Sequence, residues 1–386
     1  MVTGAYYPEI SGAGLQCRAL VCVLRDLAGF TVLTTTTDRS LPRTGDIDGV
    51  PVYRVVIEVS SIWSQFRAAA RLSWWFVRLR RRFEVVHLHG FSRKTLLMIL
   101  LARCFGKRII QKLTSAGHDD PLSVRRRGRL SYRLYTWADR FLAPSQRLAD
   151  LYRVSGLPAE RLREVPNGVD TDRFHPPAQG ERNTIRRTLG LPEEAFLILF
   201  VGFFSHEKHP DALFAAWRRA REAVALPSGV VFVGATRSRY YEVDPTVVDE
   251  IRQEARESGI EKDLHFVERT LEIDQYYRAA DCFVLPSTRE GLPNALLEAM
   301  ASGLPCLATS LKGITDRLIV HGDNGFLFPP EDVEVLSGLL LLLMQDSDLC
   351  QRVGKRARQT ALERFTIDST ARQILRIYRE LQAPIG

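Results

Sequence analysis

Ser287-Thr288-Arg289-Glu290-Gly291-Leu292-Pro293-Asn294-Ala295-Leu296-Leu297-Glu298-Ala299-Met300-Ala301-Ser302-Gly303-Leu304-Pro305 is the stretch that decides how this chain folds. It follows an apolar run of strand length, Asp281 to Leu285, and opens a helix at about Asn294. A strand that turns through a glycine-containing loop into a helix is the corner of a βαβ unit. Such a corner presents free backbone N–H groups and the positive end of a helix dipole, a ready seat for a diphosphate. Glu290 lies on the loop and Glu298 on the helix, eight positions on. Carboxylates placed there can accept hydrogen bonds from hydroxyls, as an acidic residue does with a ribose. A glutamate pair beside a helix start is usually just a solvated face; the surrounding string gives this one its meaning.

Outward from that corner, short apolar runs alternate with helix-period segments in both directions, the pattern of parallel sheets. In the first half strands are expected near Thr31–Thr36, Val52–Ile57, Val85–Leu88, Arg108–Lys112, Arg140–Ala143 and Arg163–Val165. Helices fall between them near Leu15–Ala28, Gln65–Arg82, Lys94–Phe105, Leu130–Ala138 and Gln146–Ser155. His175-Pro176-Pro177-Ala178-Gln179-Gly180 breaks the rhythm and reads as a linker. Beyond it come strands near Phe196–Val201, Gly229–Val233, Leu264–Val267, Cys282–Leu285 and Pro305–Ala308, with helices near Asp211–Ala225, Val247–Ser258, Ala295–Ala301 and Val333–Met344. There is no internal repeat. The fold class is α/β, with two domains as the natural division of 386 residues.

Composition, at 45% hydrophobic and 25% charged, is that of a globular protein. No run approaches the ~18 uncharged apolar residues that span a bilayer, and the most apolar one, Leu339 to Met344, sits within a helix pattern. Met1 leads straight into Val2-Thr3-Gly4 without the charged and apolar regions of a signal peptide, so a cytoplasmic location is expected. The six cysteines form no Cys-x-x-Cys pair and read as buried reduced thiols. Residues 1–175 hold 28 Lys and Arg against 15 Asp and Glu, a charge of +13, whereas residues 176–386 hold 25 against 30, or −5. A basic first half calls for an anionic partner.

The Glu290 to Glu298 segment resembles the Glu-x7-Glu motif of the retaining glycosyltransferases of family 4, which have the GT-B fold. Other matches stand in that family's order. Tyr7-Pro8-Glu9-Ile10-Ser11-Gly12-Ala13-Gly14 is similar to its N-terminal glycine loop, and Val86-His87-Leu88-His89-Gly90 to its buried strand and turn. Ala143-Pro144-Ser145, Val165-Pro166-Asn167-Gly168-Val169-Asp170 and Phe174 resemble its approach to the linker. Phe200-Val201-Gly202 with Glu207-Lys208 resembles its second-domain phosphate loop, and Gly322-Asp323-Asn324-Gly325-Phe326-Leu327 its late glycine turn.

The resemblance implies two Rossmann-like domains facing across a cleft. Residues 1–174 would form the acceptor domain, 183–367 the nucleotide-sugar domain, and 368–386 would pack back on the first. It implies that Glu298 binds the ribose hydroxyls, Glu290 the sugar hydroxyls, and that Lys208 neutralises the departing diphosphate. Gly12 and Gly14 would bring backbone near the β-phosphate, as only glycine permits. Gly202, and Gly291, Leu292, Pro293, Asn294 and Ala295 with their N–H groups, would complete the donor site, and His118 would lie against the donor sugar. Such enzymes are thought to react on one face without a covalent intermediate, so no dedicated nucleophile is expected. With cationic side chains and backbone amides at the diphosphate in place of a D-x-D ion no metal is expected, and no cofactor besides the nucleotide sugar. Two features depart from the pattern. Phe203 follows Gly202 where a basic residue is common, leaving Lys208, Arg237, Arg239 or Arg289 as the cation, and the first strand has room only for Met1 to Thr3.

Several signals are set aside. Asp46-Ile47-Asp48 is a D-x-D, but within Thr44-Gly45-Asp46-Ile47-Asp48-Gly49 it reads as a polar turn rather than a metal site. Gly12-Ala13-Gly14-Leu15-Gln16-Cys17 lacks the third glycine of a dinucleotide fingerprint. His206 and His209 form no zinc motif. His87 and His89 are taken as core or turn histidines on alternate sides of a strand end.

On the acceptor side, Arg67 to Phe83 is a basic helix with a Trp74-Trp75-Phe76 cluster, and Arg125-Arg126-Arg127-Gly128-Arg129 precedes Tyr132, Tyr135 and Trp137. Interfacial segments use this mixture of arginine and tryptophan. The expected partners are a nucleotide sugar, a glycan or lipid-linked acceptor and an anionic membrane surface at the inner face of the plasma membrane; no nucleic acid module is recognised. The expected activity is a retaining, metal-independent hexosyl transfer in cell-surface polysaccharide or glycolipid assembly. The alternatives are a GT-B epimerase and a non-catalytic GT-B scaffold.

Overall fold

The structure, a computed structural model, describes residues 1–236 and 243–382. It divides into two compact units, Met1–Gly168 with the C-terminal stretch from Ile367, and Val169–Thr366.

The first unit contains β1 (Val2–Thr3), α1 (Gly12–Leu24), β2 (Val32–Thr36), β3 (Thr44–Ile47), β4 (Val50–Val56), α2 (Ile62–Leu79), β5 (Val85–His89) and α3 (Arg93–Cys104). It continues through β6 (Arg108–Lys112), α4 (Pro121–Arg126), α5 (Arg129–Tyr135), β7 (Arg140–Ala143), α6 (Gln146–Val154) and β8 (Leu162–Glu164). The sheet runs β3-β4-β2-β1-β5-β6-β7-β8. All pairings are parallel except β3 with β4. Strands such as Arg108-Ile109-Ile110-Gln111-Lys112 are buried on both faces, as a parallel sheet requires. Ala68, Leu72 and Phe76 of α2 join the core on one face. Leu20 and Leu24 of α1, with Ile374 and Ile377 of the C-terminal helix Ile367–Gln382, cover the other.

Three local readings change here. The polar turn at Thr44–Gly49 is a hairpin: β3 pairs antiparallel with β4 through Asp48 and Gly49, whose φ values of 55° and 80° suit a two-residue turn. Its strand escapes a hydrophobicity search because Thr44, Gly45 and Asp46 face water. His87 and His89 share one face of β5 rather than alternating, because residues two apart along a strand point the same way. Their buried rings stack 4.4 Å apart. Of the six thiols, Cys104 is exposed and Cys22 and Cys350 are only half-buried.

The second unit contains α7 (Glu181–Leu189), β9 (Phe196–Val201), α8 (Pro210–Glu222), β10 (Ser228–Val233), α9 (Pro245–Glu257), β11 (Leu264–Val267) and α10 (Ile273–Ala279). Then follow β12 (Cys282–Leu285), α11 (Asn294–Ala301), β13 (Cys306–Thr309), β14 (Phe326–Phe328), α12 (Val333–Gln345) and α13 (Ser347–Arg364). Its parallel sheet is ordered β11-β10-β9-β12-β13-β14, with an apolar core on each side.

Both sheets reverse direction near the middle. In the second unit the chain moves from β9 outward to β10 and β11, then returns to lay β12 on the other side of β9. In the first unit it moves outward from β1 and returns with β5 beside β1. Loops leaving two such strands part to opposite faces and open a crevice at their carboxyl ends, where ligands bind in open α/β sheets. The fold thus singles out the loops after β9 and β12 in one unit and after β1 and β5 in the other.

Candidate active site

The loop after β9 runs from Gly202 to His209, and the loop after β12 from Pro286 to Pro293. They are stitched together at the switch point. The Thr288 amide donates to the Glu207 carbonyl at 2.9 Å, and Arg289 pairs with the Glu207 carboxylate at 2.6 Å. Lys208 Nζ reaches Glu290 Oε1 at 2.5 Å. The candidate leaving-group cation and the candidate sugar-binding carboxylate therefore meet directly, although 82 positions separate them in sequence. Arg289 is already engaged by Glu207, and Arg237 and Arg239 lie outside the described residues. Phe203 is half-buried beside Phe204, whose buried ring packs with Phe200 and Phe232.

Gly202 sits where β9 meets the neighbouring strand. Its amide donates to the Val233 carbonyl at 3.0 Å, and a Cβ on Gly234 would come within 1.8 Å of the Gly202 carbonyl oxygen. Gly291, Leu292 and Pro293 are buried, while Asn294 and Ala295 are half-buried at the start of α11. The N-cap position is Pro293, which makes no side-chain cap hydrogen bond, and the first turn carries the positive end of the helix dipole.

Glu298 stands one turn further along α11, half-buried. Its Oε2 accepts a hydrogen bond from the Tyr277 hydroxyl at 2.9 Å. Burial pushes its carboxyl above the ordinary carboxylate range, while the Tyr277 hydrogen bond and the Arg173 charge pull the other way. Tyr277 was not singled out in the sequence; the signal was a tyrosine three residues before Ala280-Asp281 and the strand that leads to the motif.

In the first unit, Ser11 caps α1 by accepting from the Gly14 amide at 3.1 Å, and Gly12 is the first helical residue. A Cβ on Gly14 would stand 2.4 Å from the Ala5 carbonyl oxygen, so the loop after β1 touches the helix backbone and excludes any larger residue. Packing alone therefore demands Gly14. His118 is half-buried on the loop after β6, and its carbonyl accepts from Arg127 Nη2 at 2.6 Å. The loop is tied by buried Asp119, which accepts from the Thr114 amide, the Thr114 hydroxyl and the Ser115 amide. Burial pushes the Asp119 carboxyl up to about 6 against those hydrogen bonds.

The D-x-D carboxylates have other work. Asp48 accepts from Arg18 Nε at 2.6 Å and Nη2 at 3.1 Å, and Asp46 accepts from the Gly49 amide at 2.8 Å. Among the described residues no group of three or more His, Cys, Asp or Glu side chains is arranged to hold a metal ion.

The basic helix α2 divides differently from the expected Trp74-Trp75-Phe76 cluster. Phe76 is buried in the core and Trp75 packs at a tilt against Tyr53, ring centroids 4.3 Å apart. The exposed apolar side chains are Ile62, Trp63, Phe66 and Trp74, at 68%, 79%, 66% and 54% exposure. A 3.6-residue period gathers these four on one arc, with exposed Arg67, Arg71 and Arg78 along its border. Among the described residues none of these three arginines is in an ion pair with a carboxylate. On the second basic stretch Arg125 to Leu130 are exposed, and Tyr135 is buried.

Two Rossmann-like parallel-sheet units, each with a switch-point crevice, define the GT-B class. Solved structures with this fold include Anabaena HepE in complex with UDP and glucose, at a TM-score of 0.78 and 19% identity over 98% of both chains. Sucrose-phosphate synthase from Thermosynechococcus elongatus superposes at 0.82 with 20% identity, again over 98% of both chains. Residues 181–360 match the family described as glycosyl transferases group 1, and residues 11–168 match the glycosyl transferase 4-like domain. The chain belongs to the family 4-like glycosyltransferases of the GT-B fold.

Among curated relatives, D-inositol 3-phosphate glycosyltransferase of Xylanimonas cellulosilytica is 34% identical over 60% of this chain and 54% of its own length. The UDP-Gal:alpha-D-GlcNAc-diphosphoundecaprenol alpha-1,3-galactosyltransferase of Escherichia coli is 26% identical over 78% of this chain and 76% of its own. The chain spans about half the length of the D-inositol 3-phosphate glycosyltransferases that it matches, at 54%, 51% and 54%. Among the described residues no helix is long and apolar enough to cross a membrane.

Proposed function

We propose that this protein transfers a sugar from a nucleotide diphosphate to a glycan or lipid-linked acceptor, with retention at the anomeric carbon and without a metal. The carrying observation is the Lys208–Glu290 contact at the switch point, on the loop that leads into α11 and Glu298. Breaking the bond between anomeric carbon and phosphate oxygen builds positive charge on the sugar and negative charge on the leaving diphosphate. Preorganised cations and N–H dipoles at the diphosphate are then the main lever on the barrier.

In this reading Lys208 and the α11 amides receive the diphosphate, Glu290 holds sugar hydroxyls and Glu298 holds the ribose. On donor binding Lys208 and Glu290 exchange their mutual contact for contacts to the donor. The phosphorylated and lipid-linked acceptors named for the relatives, together with the basic first half, support an anionic or lipid-linked acceptor.

Peripheral membrane contact is part of the same proposal. Exposed aromatics bordered by arginines that, among the described residues, pair with no carboxylate fit the headgroup region of an anionic bilayer, with Ile62, Trp63 and Phe66 as the inserted residues.

The function is tested by a thermal-shift screen of nucleotide sugars, repeated with the bare nucleotides. Stabilisation by one nucleotide family supports the assignment. A flat response across uridine, guanosine, adenosine and thymidine diphosphates and their sugars would remove the donor site and leave a non-catalytic scaffold.

A further inference from the structure

We propose that Tyr277 is the positioning residue for Glu298, and that through it the donor site distinguishes a ribonucleotide from a deoxyribonucleotide. This rests on the donor-site reading above and adds to it a residue and a specificity.

Tyr277 lies on α10 with no exposed surface. Its ring packs edge-on against Phe174 at 5.6 Å and at a tilt against Phe283 at 5.9 Å. Those contacts would be served equally by phenylalanine. A hydroxyl in such a place is costly unless it is hydrogen-bonded, and its partners both belong to α11. They are Glu298 Oε2 at 2.9 Å and the Ala295 carbonyl oxygen at 3.2 Å. The hydroxyl thus ties the carboxylate to the first turn of its own helix.

The clamp is anchored from behind. Arg173 grips Asp274 of α10 through Nε at 3.0 Å and Nη2 at 2.9 Å, and Nη2 also reaches the Leu271 carbonyl oxygen at 2.7 Å. With α10 fixed by that fork, Tyr277 has a rigid base. Among the described residues no hydrogen bond engages Glu298 Oε1. One carboxylate oxygen is therefore held and the other is left to accept from a hydroxyl of the ligand. A carboxylate free to rotate would spread its acceptors over many orientations, and ordering it on binding would cost affinity. Held by Tyr277, its remaining oxygen is ready for the ribose 2′-hydroxyl, the group that a 2′-deoxynucleotide lacks.

The test measures binding of UDP, GDP and their 2′-deoxy counterparts to the full chain by calorimetry. The wild type should prefer the ribonucleotide by about tenfold, one charge-assisted hydrogen bond at the low end of its range. Tyr277→Phe should weaken ribonucleotide binding several-fold, leave deoxyribonucleotide binding unchanged and so compress the ratio. Adding Tyr277→Phe to Glu298→Gln should change nothing further, because the tyrosine acts only through the carboxylate. A merely structural tyrosine would weaken both ligands equally and keep the ratio, which overturns the proposal while the donor site stands. Absence of nucleotide binding by the wild type overturns the proposal and the donor-site reading together.

Discussion

Replacing Lys208 with alanine tests whether the switch point is a leaving-group site. Lys208 Nζ stands 2.5 Å from Glu290 Oε1, and the two side chains are 26% and 11% exposed. An exposed pair would contribute under about 1 kcal/mol; this one is shielded enough that the charge-assisted bond falls nearer ~1.5–3 kcal/mol. The stability cost is then a fall in melting temperature of several degrees, on a scale of ~2–4 °C per kcal/mol for domains of this size. The catalytic cost is larger. Loss of one preorganised donor to developing negative charge lowers kcat by ~10²–10³, about 2.7–4 kcal/mol. Initial rates at saturating donor, with a thermal melt on the same sample, separate the two effects. Arg289→Ala is the control, since Arg289 is 41% exposed and occupied by Glu207; its kcat should fall much less. A Lys208→Ala enzyme whose kcat stays within about threefold of wild type would refute the assignment, because no transition-state donor is worth so little.

Three further outcomes are expected. Burial raises the Glu298 carboxyl above its unfolded value, so that group favours the fold most fully below the ordinary carboxylate range and loses this contribution as pH rises through its folded pKa. Glu298→Gln should consequently raise the melting temperature at neutral pH while weakening nucleotide binding, and wild-type affinity should fall as pH drops through that same raised pKa; a variant that binds nucleotide normally takes Glu298 out of the site. Turnover should survive EDTA, since Asp48 is occupied by Arg18 and Asp46 by the Gly49 amide; loss on chelation with recovery on manganese would contradict this. Binding to phosphatidylglycerol vesicles should be strong at low salt and fade as salt rises, at about 1 kcal/mol per surface arginine. In flotation assays Trp63→Ala with Phe66→Ala should reduce it more than Trp75→Ala, and indifference of the wild type to anionic vesicles ends the membrane proposal.

The parallel strands were legible because their signal is local. Phe196–Val201 and Cys282–Leu285 are continuous apolar runs buried on both faces, and their limits match the expected ones. The hairpin strand Thr44–Ile47 was not, because an exposed edge strand carries polar residues that read as a turn. The Glu290 to Glu298 motif could be seen from the string alone. The resemblance named Lys208 and Arg289, but not their pairing: Lys208 meets Glu290, and Arg289 meets Glu207, only because the sheet reverses between β9 and β12. Tyr277 and Arg173 were invisible for the same reason. Likewise, which face of α2 is covered depends on where its helix meets the sheet, so Phe76 went to the core and Trp63 to the surface.

The claim that organises the account is transfer with retention from a nucleotide sugar. Many transferases hydrolyse their donor slowly when no acceptor is present, and the anomer first released reports the face attacked. Proton NMR of an α-linked nucleotide sugar incubated with the protein, read within minutes before the sugar equilibrates in water, decides the matter. The α-anomer should appear first, and Lys208→Ala should suppress it. Early release of the β-anomer would contradict the retaining mechanism, and no turnover of any nucleotide sugar would contradict the assignment itself.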